Sequence, residues 1–282
     1  MTRFGMVVDV TRCNGCCNCL LACRDEFCGN DFLPYSVAQP QTGQHWLRLV
    51  EKERGQFPKT KVAYTAVLCL QCADPACGKL ARDGAVYQRE DGIVIIDPDK
   101  AIDQEHLPGE CPYSAIVWNE EKRVPQKCTF CAHLLDQGAS EPRCVEACPP
   151  GALIFGDLDD PESGVAKLVA SGRTECLNPE YGLEGAVSFI GLPKRFVAGA
   201  VVFGDTGMCG EGAQATLTGE GVRLTTCADG YGDFEFEGLE TDWAFTLRVS
   251  AEGYRSAELT AQTHLDVYLG DIVLQADGTG GR

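Results

Sequence analysis

The chain has 282 residues, a formal net charge of −17, 44 % hydrophobic residues and 17 cysteines, a length that allows one large domain or two ordinary ones. Such an acidic surface disfavours nucleic acid and anionic lipid as partners, and no run of about 18 apolar residues offers a membrane helix. The N-terminus reaches Cys13 with no room for a signal sequence, so a cytoplasmic protein is expected, in which abundant cysteine reads as metal binding rather than disulfides.

The first predicted element is a strand at Gly5–Val10, leading into Cys13, Cys16, Cys19 and Cys23, spaced C-x2-C-x2-C-x3-C. Residues 27–64 read as an insertion holding one strand, HWLRLVEKERG, with Gly55 as its stop. Cys69, Cys72 and Cys77 follow, then a strand at Gly92–Asp97, then Cys111 before Pro112. A strand at Ala115–Asn119 precedes Cys128, Cys131, Cys144 and Cys148, spaced C-x2-C-x12-C-x3-C before Pro149, and a strand at Ala152–Phe155 follows them. MVVDVTRC and GIVIIDPDKA form an internal repeat in which Ala101 stands where the first copy has cysteine. A complete fourth run would need cysteine at Ala81, Ala101, Gln104 and Leu107. One ligand set is missing whole while the others are complete, the pattern left when a four-cluster ancestor loses one cluster.

In bacterial ferredoxin runs the fourth cysteine serves the other cluster of a pair. That rule assigns Cys13, Cys16, Cys19 and Cys148 to one cluster and Cys128, Cys131, Cys144 and Cys23 to a second. Cys69, Cys72, Cys77 and Cys111 make a third. Paired C-x2-C runs also build zinc sites, but closely spaced triplets of cysteine, a fourth nearby and a following proline fit cubane clusters better. Asn14-Gly15 and Pro150-Gly151 supply tight turns, whose N–H groups are expected to donate to sulfur. Cys17, Cys28, Cys176, Cys209 and Cys227 read as small buried apolar residues, with Cys17 an alternative ligand in the first run. Arg12, Arg24, Lys127 and Arg143 flank ligands, either raising cluster potentials or serving as surface ion-pair partners. His45, His106, His133 and His264 form no constellation, and His133 alone is expected near a ligand. No catalytic triad or carboxylate pair stands out, so no catalytic residue is assigned.

Residues 158–196 read as a connector. Asp160 is the expected N-cap of a short helix, with Pro161 at its first position, an apolar stripe of Val165, Leu168 and Val169, and Gly172 as its stop. The remainder, through Pro193, shows little regular pattern and is available to drape over a partner. From residue 197 the cluster spacing vanishes. Residues 197–275 hold 13 Asp and Glu against 3 Lys and Arg, a balance of −10, read as a solvated face. Seven short alternating runs separated by Gly and Asp predict a β-sandwich, with Phe234, Phe236, Phe245, Leu247 and Val249 pointing inward. Residues 276–282 are expected to be a frayed tail.

Taken in order, CNGCCNCLLAC, CLQCADPAC, CPYSAIVWNEEKRVPQKCTFC and RCVEACPPGALIFGDLDDPES resemble the iron–sulfur subunit that accompanies molybdopterin enzymes of the dimethyl sulfoxide reductase family. The resemblance implies an α+β chain: a duplicated bacterial ferredoxin-like domain over 1–157 with three [4Fe–4S] clusters, then an all-β sandwich of the transthyretin or carboxypeptidase-regulatory type over 197–275. It implies a large catalytic partner carrying a bis-molybdopterin guanine dinucleotide with Mo or W, in a soluble heterodimer or a multiple of one. Within that family, the missing cluster, the sandwich, GAVYQREDGIVIIDPDKA and QKCTFCAHLLD resemble the branch that transfers hydroxyl groups between pyrogallol-type and phloroglucinol-type rings. Catechol or pyrogallol dehydroxylases, aromatic-ring hydroxylases, other molybdenum reductases of the respiratory kind and a zinc-scaffolded binding module are the alternatives.

Overall fold

The computed structural model describes residues 2–278. The chain divides into two compact units, one comprising residues up to Lys52 together with Ala63–Leu192, the other Glu53–Val62 together with the residues from Pro193 on. Strands dominate both, and the helices are few and short.

The first unit opens with strand β1 (Phe4–Asp9) and helix α1 (Asn18–Phe27). Strands β2 (Leu47–Gln56) and β3 (Lys59–Leu68) pair as a long hairpin whose tip belongs to the second unit. Helix α2 (Ala76–Leu80) precedes two small antiparallel hairpins, β4 (Val86–Gln88) with β5 (Val94–Ile96) and β6 (Val117–Asn119) with β7 (Val124–Gln126). Then come α3 (Ala132–Leu135), α4 (Arg143–Glu146), β8 (Leu153–Asp157), α5 (Gly164–Ala170) and β9 (Val187–Ile190). β1 is the central strand of a sheet, antiparallel to β8 (Met6 opposite Phe155) and parallel to β9 (Met6 opposite Val187). Its near-continuous apolar run suits a strand covered on both faces: Met6, Val7 and Val8 are fully buried.

The expected connector therefore belongs to this unit as far as Leu192. The irregular run expected up to Pro193 contains β9, a strand too short for its apolar pattern to declare itself. The helix cap also differs. Asp160 closes a turn by accepting from the Glu162 N–H (2.9 Å), and the cap is Ser163, whose hydroxyl accepts from the Ala166 N–H at 3.1 Å. Gly172 ends the helix in the left-handed region (φ 68°), where glycine carries no Cβ penalty. Val165 and Leu168 pack inward, while Val169 is exposed.

All seven strands expected in the second unit are present: β10 (Arg195–Phe203), β11 (Gln214–Gly219), β12 (Val222–Cys227), β13 (Asp233–Leu239), β14 (Ala244–Ser250), β15 (Ala257–Gln262) and β16 (Val267–Leu274). They form two sheets, ordered β13-β10-β16 and β12-β11-β14-β15. Val197, Val201, Phe234, Phe236 and Leu274 from one sheet and Leu217, Phe245, Leu247 and Val249 from the other make one apolar core. Leu247 is fully buried in it, so Leu247→Ala should cost the unit about 2–5 kcal/mol, read as a lower denaturant midpoint at unchanged slope.

The acidic face is partly neutralised within this unit. From the hairpin tip, Lys59 pairs with Asp233 at 2.6 Å, Lys61 with Glu235 and Glu237, and Arg54 with Asp266 at 3.6 Å. The start of the expected tail is also ordered: Ala276 bridges Tyr254, and the Asp277 N–H donates to Gly253 O at 2.9 Å. Residues 279–282 of that expected tail lie outside the described residues.

Candidate metal centre

All 17 cysteines are free thiols, and twelve of them gather in three groups. Cys13, Cys16, Cys19 and Cys148 line one cavity, which Cys17 also lines. Cys69, Cys72, Cys77 and Cys111 line another. Cys23, Cys128, Cys131 and Cys144 are all buried, and the first three lie close enough to Cys144 to raise its thiol pKa, as burial chiefly does.

Helices α1 and α4 explain how the thiols of one run come to lie in two groups. Cys19 and Cys23 lie four residues apart on α1, yet Cys19 neighbours Cys148 and Cys13 while Cys23 neighbours Cys128 and Cys131. The segment of α4 mirrors this, with Cys144 in the buried group and Cys148, just past the helix, in the first. Each short segment thus serves two groups.

The loops share one backbone device. In the first C-x2-C pair of each run the residue before the second cysteine is left-handed: Gly15 (φ 75°), Gln71 (φ 52°) and Phe130 (φ 52°). That conformation bends the chain so that both thiols face one side, at a cost of roughly 1–2 kcal/mol for residues with a Cβ. Gly15 has a second reason to be glycine, because a Cβ there would lie 2.8 Å from the Tyr64 ring. The two Cys-Pro turns are twins: the Ala115 N–H donates to Cys111 Sγ at 3.5 Å and the Ala152 N–H to Cys148 Sγ at 3.2 Å. The Phe130 N–H donates to Cys128 Sγ at 3.4 Å. Residues 183–186 press on the loop of the third group, where Cys72 bridges Gly185 and the Ala73 N–H donates to Glu184 O at 2.9 Å. A Cβ on Gly185 would meet Leu70 O at 2.7 Å.

Burial and crowding of like groups raise the thiol pKa values. Burial leads at Cys19, pushed up to about 11, with Cys148 adding to it. Burial also leads at Cys72, pushed up to about 12, with Cys69, Cys111 and Cys77 adding to it. Cys128 and Cys131 are likewise pushed up to about 12, chiefly by burial. Thiols concentrated this way, without disulfides, need a positive centre to carry them as thiolates.

The expected fourth run has the loop conformation of the others without their thiols. Asp103, one residue before Gln104, is left-handed (φ 61°) like Gly15, Gln71 and Phe130. Ala101 and Leu107 are fully buried. The Gln104 side chain accepts from the Arg82 N–H (2.9 Å) and donates to Lys100 O (2.9 Å) and Arg82 O (3.2 Å). Ala81, Ala85, Ala101, Ile96 and Ile116 pack together there.

The flanking residues divide. Glu26 sits between His133 Nε2 (2.9 Å) and Arg143 Nε (2.8 Å), and these two bonds hold its carboxyl below the usual range although burial opposes them. Arg24 donates to the carbonyls of Pro40, Gln41 and Gln44, tying down the insertion that follows α1. The reading of the five extra cysteines as buried is corrected: Cys17, Cys176, Cys209 and Cys227 are exposed and Cys28 is half-buried. Cys227 lies on β12, an edge strand with alternating exposure, which its sequence context does not distinguish from a central one.

Residues 60–158 match the 4Fe-4S dicluster domain. The small subunit of pyrogallol hydroxytransferase from Pelobacter acidigallici is 36 % identical, covering 97 % of this chain and 100 % of that one. The iron–sulfur subunit of arsenate respiratory reductase from Shewanella sp. is 30 % identical over 67 % of this chain and 96 % of its own, and a tetrathionate reductase subunit from Salmonella typhimurium is 35 % identical over 69 % and 75 %. The chain belongs to the iron–sulfur subunits of the dimethyl sulfoxide reductase family of molybdenum enzymes. Among solved structures, 5-hydroxyisourate hydrolase of Klebsiella pneumoniae aligns with 28 % of the chain at 15 % identity and a TM-score of 0.25, too low to assign a fold. Among the described residues no helix is long and apolar enough to cross a membrane.

For a member of this family, the donor sets fit [4Fe–4S] groups. The first and third sets each line a cavity with four thiols, the thiols of the second are buried near one another, and a backbone N–H group donates to sulfur in all three. Spacing alone could not reveal Gln71 and Phe130 as left-handed residues, since neither residue type signals it.

Proposed function

We propose that the chain is the electron-transfer subunit of a molybdopterin-dependent enzyme that transfers hydroxyl groups on polyhydroxylated aromatic rings. Cys13, Cys16, Cys19 and Cys148 would hold a first [4Fe–4S] cluster, Cys23, Cys128, Cys131 and Cys144 a second, and Cys69, Cys72, Cys77 and Cys111 a third. When bound, such a cluster takes up and releases one electron at a time. The protein's part is to fix, shield and order the sites. The second group is the middle one: Cys23 and Cys144 feel Cys19 of the first group, and Cys128 feels Cys69 of the third. Cys16 is exposed, so the first group lies nearest solvent.

The observation that carries this reading is coverage. The match to the pyrogallol hydroxytransferase subunit runs through both units, 97 % of the chain, whereas the arsenate and tetrathionate reductase subunits match 67 % and 69 %. The first unit reads as a duplicated ferredoxin-like domain and the second as a transthyretin-like or carboxypeptidase-regulatory-like sandwich. The partner would be a large subunit carrying the molybdopterin cofactor, in a cytoplasmic heterodimer or a multiple of one.

Purification of the intact complex tests this. It should yield one large chain per copy, molybdenum or tungsten, about twelve irons per small chain, and turnover of pyrogallol-type substrates without a stoichiometric reductant. A requirement for stoichiometric reductant would make the complex a dehydroxylase, and the absence of a molybdopterin partner would end the proposal.

A further inference from the structure

Of the cations flanking the cysteine runs, Arg143 is paired with carboxylates and Arg24 with loop carbonyls. Lys127 is placed differently. It is 2 % exposed. Its ammonium donates to two backbone carbonyls, Val94 O and Cys128 O, the latter at 3.2 Å. Among the described residues no carboxylate pairs with it. A buried cation with neutral acceptors alone is costly unless negative charge lies close by.

Sulfur is what lies close by. Lys127 lines the cavity of Cys69, Cys72, Cys77 and Cys111, and its ammonium holds the backbone carbonyl of Cys128 in the second group. Gln71 completes the wall between the second and third groups. Its amide donates to the same Cys128 O at 2.9 Å and accepts from the Val94 N–H at 2.8 Å. Two side chains thus tie Val94 to Cys128, and one of them is charged. Lys127 thus lines the cavity of the third group and reaches the second through the backbone carbonyl of Cys128.

We infer that Lys127 is a positioning residue for electron transfer: a fixed, buried cation that raises the reduction potential of the cluster held by Cys69, Cys72, Cys77 and Cys111 more than that of its neighbours, and so sets the step between the second and third sites. Reduction adds negative charge to a cluster, and a nearby cation favours the more negative state. The inference rests on the ligand sets proposed above.

Redox titration of the intact complex, followed by electron paramagnetic resonance, tests it. The signal that disappears in Cys111→Ser identifies the third cluster. In Lys127→Gln its midpoint should fall enough that, at the wild-type midpoint, the reduced-to-oxidised ratio drops about tenfold, or ~59 mV for one electron. The first cluster should not move, and Lys127→Arg should restore the wild-type midpoint. An unmoved third midpoint in Lys127→Gln with full iron content overturns the inference. If Lys127→Gln and Lys127→Met both fail to assemble the third cluster, Lys127 is a structural residue and the inference falls. Iron content and the Cys111→Ser spectrum are read independently, so a wrong ligand set is told apart from a wrong role for Lys127.

Discussion

Cys23→Ser should remove about four of roughly twelve irons, and they should be lost from the group of Cys128, Cys131 and Cys144 rather than from the run in which Cys23 sits. The geometry behind this result is the sharing of α1. Cys19 and Cys23 are both buried on that helix and face different groups. Cys148→Ser is the reciprocal case, taking the cluster of Cys13, Cys16 and Cys19 and leaving that of Cys144 in place. Serine preserves the shape and supplies a much poorer ligand for iron, so backbone damage is small and the spectroscopic loss is confined to one site. Electron paramagnetic resonance of the two variants decides the matter. Each variant losing the cluster of its own sequence run would refute the crossed assignment.

Stripping the iron should unfold the first unit and spare the second. The apolar core of the first unit includes Cys19, Cys23, Cys69, Cys128, Cys131 and Cys144, so its interior is built around the metal sites. The core of the second contains no cysteine. A domain's net stability is about 5–15 kcal/mol, and a structural metal site contributes on the order of 10 kcal/mol, so losing three such sites exceeds what the first unit has to spare. Limited proteolysis after chelation should leave a resistant fragment starting near Pro193, with β-rich circular dichroism. Digestion of both units at one rate would show instead that the second unit depends on the hairpin tip, through Arg54 with Asp266 and Lys59 with Asp233.

The sequence and the fold agree most where a rule of spacing or alternation applies. Cysteine spacing placed twelve residues in three groups, and the fold gathers those groups. Short apolar runs set off by Gly and Asp over residues 197–275 marked all seven strands; β14 alternates buried and less buried positions along its length, while β10 has no exposed position and β12 no buried one. Gly172 announced its own turn. What stayed hidden depended on partners far along the chain. β9 is four residues long and is held as a strand by β1, more than 170 positions earlier. β3 escaped notice because its outer half, from Lys59, alternates exposed and half-buried positions while its inner half is continuously buried. Asp160 looked like a cap on residue type alone, and Ser163 took the role because the helix starts after the turn that Asp160 closes.

The filled fourth loop bears on how much charge the chain can hold and where that charge can go. Saturated carbon from Ala81, Ala101 and Leu107 and a fully hydrogen-bonded amide from Gln104 occupy the place of a redox group. On the proposed ligand sets, what lies beyond Cys77 and Cys111 would insulate, and the third group would be a terminus instead of a relay. On the proposed reading, a hydroxyl moves between rings with no net gain of electrons, and a blind-ended reservoir suits that chemistry: whatever enters from the open side leaves by the same door. The four positions at which a fourth run would need cysteine carry other side chains, while the backbone at Asp103 keeps the left-handed bend of the cysteine loops.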